Sequence, residues 1–195
     1  MLIQPANHVD TMEEKMRKNV TTGLIGLSLV LCLMGLFGSS WLTLDDDSGM
    51  EIEGSISLSE YSIEGEGLEI TIGLSEMCDE AEDEEACELA TAGMVAKVFL
   101  WLGILLTLLM VVMVILPMAG VSWMDENVPD IAKSIISWSA GSVMLGAVLL
   151  WYVLLPDTGG MDVGMSAYMS IIAGLLGLSS TVLEKYEINV TMVRR

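Results

Sequence analysis

The chain has 195 residues, 53% of them hydrophobic and 18% charged, with 27 acids against 8 bases and a formal net charge of −19. A soluble domain carries about a quarter of charged residues spread along its length, whereas here the apolar residues gather into four long blocks and 17 of the 27 acids fall between Asp45 and Glu88. That acidic stretch holds no Lys or Arg, which argues against a nucleic-acid partner and points to a polytopic membrane protein with one acidic exposed segment.

Crossing a hydrocarbon core of about 30 Å takes roughly 20 helical residues. After a polar lead over residues 1–22, a first uncharged block runs over about 23–44 as GLIGLSLVLCLMGLFGSSWLTL, and three more follow at about 90–116, 135–155 and 165–183, before a short tail at 184–195. Inside lipid each backbone group must be satisfied within its own segment, so each block is expected to be a helix. Lys15, Arg17 and Lys18 precede the first block, Lys133 opens the third, and Lys185, Arg194 and Arg195 follow the fourth. Residues 45–89 and 156–164 contain no base, so the positive-inside rule puts both tails in the cytoplasm and the acidic segment outside. Asp125, Glu126 and Asp130 in the inner loop run against this, but acids weigh little in that rule. Trp41, Trp123, Trp151, Tyr152 and Tyr186 stand near span ends, as interface-seeking aromatics do. A competing reading takes the first block as a signal peptide cleaved near Gly38-Ser39-Ser40, although its apolar stretch and polar lead are both long for one.

In the acidic segment, Ile52, Gly54, Ile56 and Leu58 alternate with Glu53, Ser55, Ser57 and Ser59, and Leu68, Ile70, Ile72 and Leu74 alternate with polar residues including Glu69 and Thr71. Period two marks half-buried strands, and Gly65-Glu66-Gly67 supplies the permissive backbone of a hairpin turn between the two runs. A small antiparallel sheet is expected, its apolar face resting on the outer ends of the helices. Cys78 and Cys87 follow. On one continuous helix nine steps would hold them about 13 Å apart, too far for a disulfide. Either the chain turns between them and they are bridged, or they stay free on one helix. On the oxidising side of a membrane a structural bridge is the expectation. It would hold together a loop carrying Asp79, Glu80, Glu82, Asp83, Glu84 and Glu85.

These residues resemble those of the claudins and their relatives, the peripheral myelin proteins and the channel gamma subunits. That superfamily carries Trp just after the first span, then Gly-Leu-Trp-x-x-Cys, then a second Cys. Here Trp41 is followed by Gly73-Leu74-Ser75-Glu76-Met77-Cys78 and then Cys87, with Ser75 in place of the motif tryptophan. The resemblance implies a four-helix bundle with both termini inside, capped outside by a small antiparallel β-sheet and stapled by Cys78–Cys87. It also implies a role in surface contacts or as an accessory subunit of a channel or transporter.

No catalytic constellation emerges, because the only histidine, His8, lies in the polar lead. No enzyme activity and no cofactor are expected, and a thiol oxidoreductase would need an exchangeable Cys78 or Cys87, without a Cys-x-x-Cys motif. The carboxylates of Asp45, Asp46, Asp47, Asp79, Glu80, Glu82 and Asp83 are either a solvated face or a field that gathers divalent cations. No register of the 45–51 acids fits an EF-hand loop. Lys97, the one charge within a span, is expected to snorkel outward and pair with the acidic segment. Small residues recurring every fourth position, Ser166-Ser170-Gly174 and Ala173-Gly177-Thr181, are expected to pack helices within the bundle. Expected partners are the lipid bilayer, with a second copy, another membrane protein or divalent cations as candidates. The expected function is a non-enzymatic surface protein whose acidic outer domain mediates interaction or cation association.

Overall fold

The computed structural model describes residues 7–45, 52–65, 68–81, 84–118, 120, 128–157 and 161–193. In chain order the elements are α1 (Asn7–Phe37), β1 (Leu42–Asp45), β2 (Ile52–Ile56), β3 (Glu60–Gly65), β4 (Leu68–Gly73), α2 (Leu74–Ala81), α3 (Glu84–Met118), α4 (Asp130–Leu154), β5 (Asp162–Val163) and α5 (Met165–Val193). Four of the helices are long and apolar enough to cross a membrane, over Met16–Phe37, Glu84–Pro117, Asp130–Leu154 and Met165–Leu183. They form a closed ring in which α1 packs along α5, α5 along α4, α4 along α3, and α3 more lightly along α1.

Small side chains set the closeness of that ring. Gly141 of α4 lies against the Gly174 carbonyl and Leu178 of α5, and Gly35 of α1 and Gly38 just beyond its end lie against Ser170 and Ser166 of α5. The Ser28 hydroxyl donates 2.7 Å to the Ala173 carbonyl, and the Thr181 hydroxyl donates 3.1 Å to the Ser137 carbonyl. The small-residue stripes of α5 therefore face its neighbours inside the bundle, where buried hydroxyls find carbonyl partners and cost little.

The first span differs from expectation at both ends. Its helix begins at Asn7, and it stops at Phe37 rather than near Leu44. Beyond Gly38 the backbone is taken by the sheet: the Trp41 N–H donates 2.7 Å to the Ile56 carbonyl, and Leu42 to Asp45 pair with β2. The second span is longer than expected. The 35 residues of α3 extend about 50 Å, more than a bilayer core requires. Gly103 meets Met144 at mid-bundle, so by helical rise Gly93 is about level with Leu154, the last residue of α4, and the turns from Gly93 back to Glu84 rise to about 14 Å beyond it.

The sheet leans on this mast. Its strand order is β4-β3-β2-β1-β5, with antiparallel pairing throughout. The expected two-strand hairpin is in fact two hairpins, because Glu60–Gly65 forms a strand of its own between the two predicted runs. The Ser57 hydroxyl accepts from the Ser59 and Glu60 N–H groups and closes the first turn, which places Leu58 in a turn rather than a strand, buried all the same. The Leu58 carbonyl lies where a side chain on Gly93 of α3 would be. Gly65 pairs with Leu68 in the second hairpin, so residues 66 and 67 connect β3 to β4.

Trp41 locks sheet to bundle. It is fully buried, its indole N–H donates 2.8 Å to the Gly35 carbonyl near the end of α1, and its ring meets Trp151 of α4 edge-on at 4.8 Å. The Trp41 carbonyl then accepts from Gly164 N–H, and the Ser40 carbonyl from Ser166 N–H, which fixes β5 and the start of α5. Replacing Trp41 with Phe removes the hydrogen bond and is expected to destabilise the protein by about 1–2 kcal/mol. Trp41→Ala also opens a cavity and is expected to cost about 3–5 kcal/mol. Denaturant unfolding in detergent micelles measures both.

Candidate functional site: a stapled sheet with a carboxylate row

The ladder sorts the sheet into rows of like chemistry. Val163, Leu42, Ile56, Tyr61 and Ile72 lie opposite one another across β5, β1, β2, β3 and β4, and Leu44, Gly54, Ile63 and Ile70 form a second apolar row. Between these two, Thr43, Ser55, Ser62 and Thr71 form a row of hydroxyl residues, with Ser62 and Thr71 hydroxyls 3.2 Å apart. Successive residues of a strand point to opposite faces, so the hydroxyl row belongs to the polar face. The next row on that face is Asp45, Glu53, Glu64 and Glu69, one acid on each of four adjacent strands.

Directly opposed residues have Cβ atoms about 5 Å apart, and like charges there oppose folding. No Lys or Arg between residues 45 and 89 offsets this. The sequence reading singled out Asp45 but missed the row, because seeing it requires β3, the strand that brings Glu64 between Glu53 and Glu69.

The apolar face is covered unevenly. Leu42 and Ile56 are buried over the bundle, but Ile72 is 39% and Ile70 is 50% exposed, so β3 and β4 overhang the helices. A disulfide fixes the far side. Cys78 of α2 and Cys87 of α3 are bridged, with Cα atoms 4.6 Å apart, so the two lie on separate helices rather than on one. Of the motif residues, Gly73 ends β4 and Leu74, buried, opens α2, while Ser75 is exposed. Beside the bridge an open groove of about 450 Å³ is lined by Glu84, Cys87, Glu88 and Thr91 of α3 and by Val153, Leu154 and Leu155 at the end of α4.

The other candidate cation ligands are scattered. Asp45 ends β1, whereas Asp79 and Glu80 lie in α2, which follows β4 at the opposite edge of the four hairpin strands. Asp46, Asp47, Glu82 and Asp83 lie outside the described residues. Among the described residues no three His, Cys, Asp or Glu side chains come together as a metal site. Lys97 is half-buried on α3 and makes no ion pair among the described residues, which leave out several acids of the segment it was expected to pair with. It lies one turn before Trp101, whose ring packs edge-on against Phe37 at 6.1 Å. Cys32 is buried and free, five residues before the end of the first span.

No family model and no curated protein matches this chain.

Two outcomes follow from this geometry. A non-reducing mass map will join Cys78 to Cys87, with Cys32 alkylated only after unfolding, and Cys78→Ser will destabilise the sheet domain by about 2–5 kcal/mol. Placing a base in the row reverses two repulsions at once, so Glu64→Lys will stabilise the protein by about 0.5–2 kcal/mol at low salt. Unfolding at two salt concentrations checks the second, since the gain should shrink as salt screens the row.

Proposed function

We propose that this chain is a multi-pass membrane protein of claudin-like architecture, with both termini in the cytoplasm. In this reading its acidic, disulfide-stapled outer sheet is a non-enzymatic recognition surface for cationic partners. The observation that carries the reading is the row Asp45–Glu53–Glu64–Glu69, which opposes folding yet spans four strands without a single base in the segment. An electrostatic cost held on rigid strands is the arrangement a cationic ligand relieves on binding. The orientation rests on the Lys and Arg distribution. The claudin-like resemblance draws support from buried Trp41, from Gly73-Leu74 at the join of β4 and α2, and from the Cys78–Cys87 bridge that follows.

The test has two arms. Tags at either terminus should be protected in intact cells while an epitope inserted near Gly65 is accessible; an accessible amino-terminal tag on the full-length chain sinks the topology. Purified full-length protein in detergent should capture polylysine with steep salt dependence. Changing Glu53, Glu64 and Glu69 together to Gln should weaken capture several-fold more than the same change at Glu76, Glu84 and Glu88, which lie outside the row. Equal loss from both triple variants overturns the assignment of recognition to the sheet.

A further inference from the structure

Resting on that reading, we propose that the free edge of β4 takes an extended basic segment of a partner polypeptide as a sixth strand, with alternating apolar and basic residues. Three observations converge on this edge. First, β4 ends the sheet, and among the described residues no strand pairs with its outer side. The Leu74 N–H donates 2.8 Å to the Ser59 carbonyl. An antiparallel ladder uses every second residue on one side, so Ile72, Ile70 and Leu68 also bond towards β3. The N–H and C=O groups of Glu69, Thr71 and Gly73 consequently line the outer edge.

Second, the two faces at this edge differ sharply. Ile70 and Ile72 are exposed on the side where Leu42 and Ile56 are buried, so the two apolar rows run off the bundle uncovered. An added strand would extend those rows with its apolar residues and cover the two isoleucines. Third, the opposite face carries the carboxylate row, which ends on β4 at Glu69 beside Glu64. The alternate residues of the added strand would stand next in that row, about 4.8 Å further on. A Lys or Arg there meets Glu69 across the new ladder step and neutralises the end of a row that has no base of its own.

Charge decides between occupants. A second copy could pair β4 to β4 with Glu69 opposite Thr71 or Gly73. That pairing brings two acidic rows side by side, from chains of net charge −19 each. A lipid surface would cover Ile70 and Ile72 but leave the edge N–H and C=O groups unpaired. Only a basic extended segment satisfies the edge, the apolar face and the carboxylates together, by strand addition.

The probe is a capped nonapeptide alternating valine and lysine, titrated by fluorescence anisotropy against full-length protein in detergent micelles. It should bind in a salt-dependent way. Proline at an outward-facing edge position leaves the native ladder intact but removes a donor, so Thr71→Pro should weaken binding about tenfold. Methylating alternate backbone amides of the peptide, which removes its donors and keeps its charge, should do the same to the unmodified protein and needs no variant to fold. If the methylated and plain peptides bind equally, the contact is charge alone and strand addition is wrong. If the peptide fails to bind while Thr71→Cys chains cross-link to each other through that position, a second copy holds the edge. If a polarity-sensitive label at Ile70→Cys reports burial on phosphatidylcholine vesicles and the peptide does not bind, lipid covers the face. Either result overturns the proposal. Retained polylysine capture in those cases leaves the broader recognition role standing, whereas loss of polylysine capture by the wild-type protein removes both.

Discussion

The position of the sheet depends on one buried hydrogen bond, from the Trp41 indole to the Gly35 carbonyl. A helix leaves its last carbonyls without intrahelical donors, and in α1 one of the final carbonyls lies where water is scarce. Trp41 satisfies it from only six residues further on, so the chain turns sharply out of α1 and into β1. The same residue fills the space between helix ends against Trp151, and its backbone N–H and C=O serve β2 and the Gly164 N–H. Sheet, α1, α4 and the start of α5 thus meet at a single residue, and the direction in which β1 leaves the bundle is set there.

From that joint the sheet would swing freely were it not for α3. The upper turns of α3 give it a second support, and Gly93 is what lets the Leu58 carbonyl come against the helix: a side chain there would collide with backbone, which cannot move aside as a rotamer can. The disulfide adds a third restraint by tying α2 to the first turns of α3. A loop of this size contributes about 3 kcal/mol in the chain-entropy account. The staple therefore does for this domain what a larger core would do elsewhere, since the sheet covers only part of its apolar face.

The helices were legible because their signal is long and redundant: some twenty apolar residues leave little choice of structure, and small residues on α5 announced a close helix contact that Gly174 and Gly177 make. Helix geometry said only that a bridge between Cys78 and Cys87 requires the chain to turn, and the bridge itself was expected from the oxidising surroundings the topology implied. Local competition defeated the finer boundaries. Gly38-Ser39-Ser40-Trp41 is apolar enough to extend a span, but its backbone is worth more in the ladder with Ile56. The run Glu60–Gly65 has only Tyr61 and Ile63 as apolar markers, too short a pattern to read as a strand without its neighbours. Missing that strand hid the carboxylate row, whose members are far apart in sequence and meet only through register.

An exposed strand edge is ordinarily protected by lysine, proline or a bulge, each of which makes pairing with another chain costly. Here β4 reads LEITIG, with no proline and no base, and its alternating pattern would suit pairing with an identical strand. The protection is electrostatic and comes from the neighbours. Glu69 is the last member of a row that already repels itself, so any like chain approaching the edge adds to that repulsion over the short range set by salt, about 8 Å at physiological strength. Such protection is selective in a way that proline is not. Proline removes a donor for every partner alike, whereas a negative row raises the cost for acidic chains and lowers it for basic ones. On the proposed reading, the same four acids that weaken the sheet in isolation would keep its edge from its own copies while leaving it open to a chain of opposite charge.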